Sequence, residues 1–260
     1  SLRHSKSLSL GISTKHHILS NCIISEFSSL GYLYVFLEED QKIEKKSRNW
    51  RGSWLPRQWS HEAEKISAKY EKGLHKRMVR CKSERIFRSH SAASEYNAAW
   101  RAKNYLSRNI LDDKELFGVS GDNLTDVDLE VLESKKMFGI VAQDGKAIVR
   151  GIDDTGYKMR THIMSSLYEN SNVKWQLVIS EAGEFVAPMT PPEFCIIPIC
   201  PNMVLMAVQQ GKRHSPLVVR DQVVIDKINF DMVVGEDRLF VGRKRATVER
   251  VAKLKKQGHP

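Results

Sequence analysis

Two groups of residues in this chain have the types and spacing to do chemistry. His16 and His17 stand side by side. Imidazole titrates near neutrality, so each can act as a base, a metal ligand or a hydrogen-bonding strut. On a strand the two would point to opposite faces, so one metal ion could take both only in a turn. They are the candidate catalytic residues if a reaction occurs, and otherwise a fold-defining pair. The second group is a basic stripe, Lys65, Lys69, Lys72, Lys76 and Arg80, at helical spacings of 4, 3, 4 and 4. It predicts a helical ridge with a positive charge every 5–6 Å or so, able to follow a phosphate backbone. Trp50, Trp54 and Trp59 lie just upstream. Trp54 and Trp59 are candidates to stack on exposed bases, and the alternative is a small satellite core. The candidate nucleic-acid-binding set is therefore Lys65, Lys69, Lys72, Lys76, Arg80, Trp54 and Trp59.

Other constellations fail on spacing. His61-Glu62 opens like a zinc protease, but position 65 is Lys where the second His should stand. Cys195 and Cys200 are too far apart for a zinc knuckle and lack a second pair. Glu44-Lys45-Lys46 after Asp40, and Glu133-Ser134-Lys135 after Asp128, supply the acid-x-lysine tripeptide of metal-dependent nucleases, a pattern short enough to arise by chance. Neither a glycine-rich phosphate loop nor a G-x-S-x-G elbow is present. No metal set and no cofactor is assigned.

Charge is distributed by segment. Residues 42–108 hold 18 Lys/Arg against 6 Asp/Glu, a net +12, whereas the whole chain of 260 residues carries +10. Residues 112–136 reverse the sign, with eight acids against three bases. Such a pair of blocks either packs together or leaves the basic one for an anionic partner. Four cysteines make no disulfide scaffold. The longest apolar run, 195–208, is too short and too broken by Pro198 and Pro201 to span a bilayer, and Arg3, His4 and Lys6 lead into no apolar signal core. A cytoplasmic protein with no membrane partner is expected.

The elements that must position these residues follow from periodicity. Tyr32–Leu37 reads as a buried strand, with a return strand near Ile43. Gly52 and Pro56 make 47–59 a loop. Ser60 should cap a helix whose apolar stripe is Ile66, Tyr70, Leu74 and Met78, one residue and about 100° from the basic stripe. Gly73 weakens that helix by roughly 1 kcal/mol. Further helices are expected over 92–110 and, acidic, over 124–136. Ile140–Val149 places apolar arms around Asp144-Gly145, a type I′ hairpin signal. This hairpin should open an antiparallel sheet holding the alternating Trp175, Leu177, Ile179 strand and the strands after Phe194. Residues 217–225 are β-branched, and 241–254 reads as a basic helix. The class is α+β, with a helical N-terminal half carrying one early strand pair and a mostly antiparallel sheet in the C-terminal half. The organisation is a loose segment 1–15, a basic helical region 16–138 and a sheet-rich region 139–260, together one composite domain.

Residues 15–36, KHHILSNCIISEFSSLGYLYVF, resemble the opening of a bacterial family, domain of unknown function 4238, in which a His-His pair, an apolar residue, Pro and a run with a closing aromatic precede a strand, with Leu19 or Ser20 standing here where the family prefers Pro. Lys174–Ile179 resembles its W-x-L strand, Ile197–Pro201 its apolar-Pro segment, and Ile228-Asn229 an Ile-Asn pair in a late helix. The resemblance runs from about 15 to 245 and implies a fold and a bacterial provenance, without an activity. Where the family commonly carries Asp-Asn-Pro, this chain has Pro188-Met189-Thr190-Pro191-Pro192, which contains no acid. The sequence thus leaves two readings open. One is a nucleic-acid-associated, nuclease-like protein. The other is a non-enzymatic module whose basic half docks an acidic protein.

Overall fold

The early strand pair forms as expected. Leu33 and Val35 alternate with Tyr34 and Phe36, so both faces of strand β1 (Tyr32–Leu37) meet apolar neighbours, and β2 (Lys42–Ser47) pairs with it antiparallel. The computed structural model describes residues 19–37, 40–47, 61–108, 137–141, 147–208, 215–234 and 239–258, and only the backbone of 61–62, 107–108, 137–141 and 147–155. His16, His17, Trp50, Trp54, Trp59, the Ser60 cap, the acidic segment 124–136 and the Asp144-Gly145 turn lie outside the described residues.

The helices among the described residues are α1 (Asn21–Glu26), α2 (His61–Glu84), α3 (His90–Arg108), α4 (Ile152–Glu169), α5 (Gln222–Val233) and α6 (Arg245–Gln257). The remaining strands are β3 (Met137–Val141), β4 (Ala147–Gly151), β5 (Lys174–Ser180), β6 (Ala187–Pro188), β7 (Ile196–Cys200), β8 (Met203–Val208), β9 (Leu217–Val219) and β10 (Leu239–Gly242). One sheet has the order β2-β1-β10-β6, another β7-β8-β5-β9, and among the described residues β3 pairs only with β4. The class is α+β, with helices and one early strand pair in the first half.

Strand alternation divides the interior. Leu33, Val35, Trp175, Leu177, Ile197, Leu205 and Val241 point into one core, closed by Ile23 and Phe27 around α1, Leu74 and Met78 of α2, and Tyr96 and Trp100 of α3. Phe36, Val178, Ile196, Val204 and Phe240 point the other way, onto Ile225 and Met232 of α5 and Val248 and Val251 of α6. The period of two therefore buries both faces of the central strands, while the edge strands β2 and β9 stay largely exposed. Pro198 sits in β7, an edge strand, next to a register shift at Pro198/Cys200, where a missing N–H is tolerated.

Several expectations are corrected. The 137–151 hairpin forms, with Val141 opposite Ala147, but it does not open the sheet of the Trp175 strand. Its second strand runs straight into α4, whose Met159 and Ile163 pack on Ala98 and Ala102 of α3, while β5 takes β8 and β9 as neighbours. No element was expected over 152–169. The β5–β9 pair is parallel, an exception in a mostly antiparallel arrangement. Of 217–225 only Leu217–Val219 is strand, because the Asp221 carboxylate accepts from the Val223 N–H at 2.9 Å and caps α5. The basic C-terminal helix starts at Arg245, since Leu239–Gly242 is drawn into the first sheet opposite β1, Tyr34 facing Gly242.

Asn229 fastens α5 to the sheet layer. Its Oδ1 accepts from the Val186 N–H at 2.9 Å and its Nδ2 donates to the Glu184 carbonyl at 3.0 Å, all in the interior. Asn229→Leu strands both backbone groups without water, a loss of about 2–3 kcal/mol. The measurement is the urea midpoint at neutral pH, and an unchanged midpoint would show that the two backbone groups find other partners.

Candidate nucleic-acid interface

Helix α2 is held along its length by two different neighbours. Ala63, Ile66 and Tyr70 pack in a cluster with Ala99, Ala102 and Leu106 of α3 and with α4. Leu74, Met78 and Cys81 enter the main core beside α1. The apolar stripe read from the sequence is the buried face, and Lys65, Lys69, Lys72, Lys76 and Arg80 are all exposed on the other side. Lys69, Lys72 and Lys76 form no ion pair with the described residues, whereas Arg80 donates from Nε to the Glu84 carboxylate at 2.6 Å. Gly73 does not interrupt the helix, and a Cβ there would meet nothing within 4 Å.

Two acids of α2, Glu64 and Glu71, face α3, whereas Glu84 is exposed beside Arg80. Glu64 and Glu71 converge on Lys103 of α3, with Nζ at 3.5 Å from Glu64 and 2.5 Å from Glu71, and Lys103 is 1% exposed. Burial alone would push this ammonium down, but the charges and hydrogen bonds of Glu71 and Glu64 outweigh it and hold the group above the ordinary lysine value. Lys103 therefore stays charged and serves as a clamp rather than a base. Burial, with Glu71 and Cys22 adding to it, raises the Tyr96 phenol well above its usual value, so that group stays neutral. The first described residues after the histidine pair reach this neighbourhood. Leu19 is buried, and the Ser20 N–H lies 3.5 Å from Tyr96 Oη.

The remaining sequence candidates are placed plainly. Glu44 and Lys46 lie two apart on β2 and pair with each other, the Lys46 hydrogen bond and charge lowering the Glu44 carboxylate, so this tripeptide is satisfied within itself. Glu133-Ser134-Lys135 and Asp128 lie outside the described residues. Cys195 lies within reach of Asn97 Nδ2 (3.7 Å) and Arg101 (3.6 Å), and the Cys200 thiol donates to Asn202 Oδ1 at 2.9 Å. The segment 188–192 is seated on α3, where Trp100 Nε1 donates to the Met189 carbonyl at 3.4 Å and Arg101 donates to the Pro192 carbonyl at 2.9 Å. Among the described residues no group of three His, Cys, Asp or Glu is arranged to hold a metal ion, and no helix is long and apolar enough to cross a membrane.

The sequence reading missed the Lys103 clamp. Its signal was present, because Tyr96, Trp100 and Lys103 follow each other at spacings of 4 and 3, which puts the lysine on the apolar stripe of α3. No protein-family model, curated protein or solved structure matches this chain.

Two outcomes follow. Lys103→Met leaves two facing carboxylates without their cation and should cost about 3 kcal/mol, most of which is recovered when Glu64 and Glu71 are also made apolar. Because the folded-state value of Lys103 is raised, its contribution is complete below the unfolded value of 10.5 and is lost as pH rises through the folded value. Urea midpoints of wild type and Lys103→Met should thus differ by a constant amount between about pH 7 and pH 10 and converge above it. Gly73→Ala should add about 0.5–1 kcal/mol in the same assay, since the native backbone accepts a Cβ.

Proposed function

We propose that this chain is a nucleic-acid-associated protein that grips phosphates with the outer face of α2. The observation that supports the reading is the sorting of charge on one helix. Glu64 and Glu71 are spent on Lys103, and Lys65, Lys69, Lys72, Lys76 and Arg80 stand exposed along the opposite side. A helix rises about 1.5 Å per residue, so the ridge from Lys65 to Arg80 is roughly 22 Å long, enough to lie along several successive phosphates. Binding through such a ridge is electrostatic and independent of sequence, because no base edge need be read. Four cysteines present as free thiols favour a reducing, cytoplasmic setting for this activity. The resemblance to domain of unknown function 4238 is a further proposal that supplies no activity of its own.

The test is a salt titration. Anisotropy of a labelled oligonucleotide should show log affinity falling linearly with log salt for the wild type. Reversing Lys69, Lys72 and Lys76 to Glu should lower affinity and flatten the slope by about three. If the triple variant binds like the wild type, the ridge is not the interface. If polyglutamate competes as well as the oligonucleotide, the basic half belongs to an acidic protein partner instead.

A further inference from the structure

The last residue of the ridge also lines a cleft. Where α2 ends, Arg85 adopts φ +53°, a left-handed conformation uncommon outside glycine, and its N–H closes the helix on the Cys81 carbonyl at 2.9 Å. The chain then doubles back through Ile86, Phe87, Arg88 and Ser89 into α3, and the fold leaves a cleft of about 210 Å³ between the helix and its own connection. Arg77, Arg80 and Arg88 form its basic walls, with Glu84 the sole acid among its lining residues. Cys81 and Phe87 are buried beneath it, and Ile86 is 40% exposed at its side.

The parts have a definite chemistry. Three guanidiniums against one carboxylate leave a net charge of +2, and Glu84 already holds Arg80 in place at 2.6 Å. Arg77 is held from behind, donating through one terminal nitrogen to the Gly73 carbonyl at 2.9 Å, which leaves its other donors to the cleft. Burial pushes the Cys81 thiol up to about 11, so the floor adds no negative charge. The first turn of α3, which follows Ser89, contains no acid, so the positive end of that helix is not neutralised by its own side chains. Arginine forks match phosphate oxygens in pairs, and a doubly charged phosphate suits a +2 site better than a singly charged diester does. The volume is smaller than the ~300–1,000 Å³ of sites for drug-sized ligands, which limits the occupant to a phosphate with at most one ring against Ile86.

We infer that the cleft lined by Arg77, Arg80 and Arg88 is a phosphomonoester site that receives the terminal phosphate of a strand lying on the α2 ridge. The inference rests on the ridge reading for the source of the phosphate. Arg80 carries the argument, since it belongs to both surfaces and makes the cleft the end of the track. The ligand chemistry is a terminal phosphate, and a free mononucleotide presents the same group.

The experiment compares single-stranded oligonucleotides of one sequence with a 5′-phosphate, a 3′-phosphate or hydroxyl ends, beside a titration with adenosine monophosphate followed by phosphorus NMR. One phosphorylated end should bind at least about tenfold tighter than the hydroxyl form. Arg77→Gln/Arg88→Gln should abolish that preference while keeping most of the hydroxyl-ended affinity, its thermal melt serving as the folding control. The Lys69, Lys72, Lys76 reversal should weaken all three oligonucleotides and preserve the ratio. If oligonucleotides bind with no end preference and the mononucleotide does not bind, the cleft inference falls and the ridge reading stands. If the mononucleotide binds, needs Arg77 and Arg88, and oligonucleotides do not, the ridge reading falls and the site is one for free nucleotides. If nothing binds, both fall.

Discussion

A lysine that cannot reach water organises the helical half of this protein. Lys103 is enclosed between α2 and α3, and an unpaired ammonium there would be prohibitively costly. It therefore requires Glu64 and Glu71, seven residues apart on α2, to face it. Two turns of α2 are fixed in rotation by that requirement alone. Once those acids point inward, helical geometry sends Lys65, Lys69, Lys72 and Lys76 outward. The clamp does not add much net stability, since a well-packed apolar trio could replace it at little loss. Its effect is orientation, and the charge pattern of the outer surface is a consequence of the buried one.

The sheet layer imposes a second constraint, that the two halves of the chain cannot fold apart. Strand β1 is completed by β2 on one side and by β10, some two hundred residues later, on the other. The first core likewise draws Leu33 and Val35 from the early strands and Trp175, Leu205 and Val241 from the late ones. Segment boundaries marked by charge are therefore not boundaries of packing. Trp175 shows the joint most directly. Its backbone N–H donates to His90 Nδ1 at 3.0 Å and its indole donates to Ser94 Oγ at 2.9 Å, both residues belonging to α3.

These contacts explain what was legible in the sequence. The α2 stripes, the strand Tyr32–Leu37 and the alternation at Trp175 were readable because each is a local period that burial then obeys. Helix α4 was not, although Met159, Ile163 and Leu167 repeat every four residues, because Gly156 and an exposed side bearing Tyr157, Met164 and Tyr168 blur its amphipathic contrast. The last two residues of strand β10 were read as the start of a helix because Val241 fits either period, and only their pairing with Tyr34 and Val35 decides between the two. The partners of Asn229 and Lys103 were not legible for a related reason. A polar residue looks like surface until its partners, forty or so positions away, are known.

The exposed ridge has an energetic consequence for α2 itself. Its five bases make four like-charge neighbours at spacings of three or four, each unfavourable by about 0.2–0.5 kcal/mol, so the repulsion totals roughly 1–2 kcal/mol at low salt. One buried leucine or methionine contributes about 1.5–3 kcal/mol, and α2 buries both Leu74 and Met78. Packing therefore wins, and the helix bears its ridge without needing a counter-charge to fold. Any polyanion that lies along the ridge removes repulsion that the free protein retains. Any ligand that neutralised the ridge would therefore also stabilise α2.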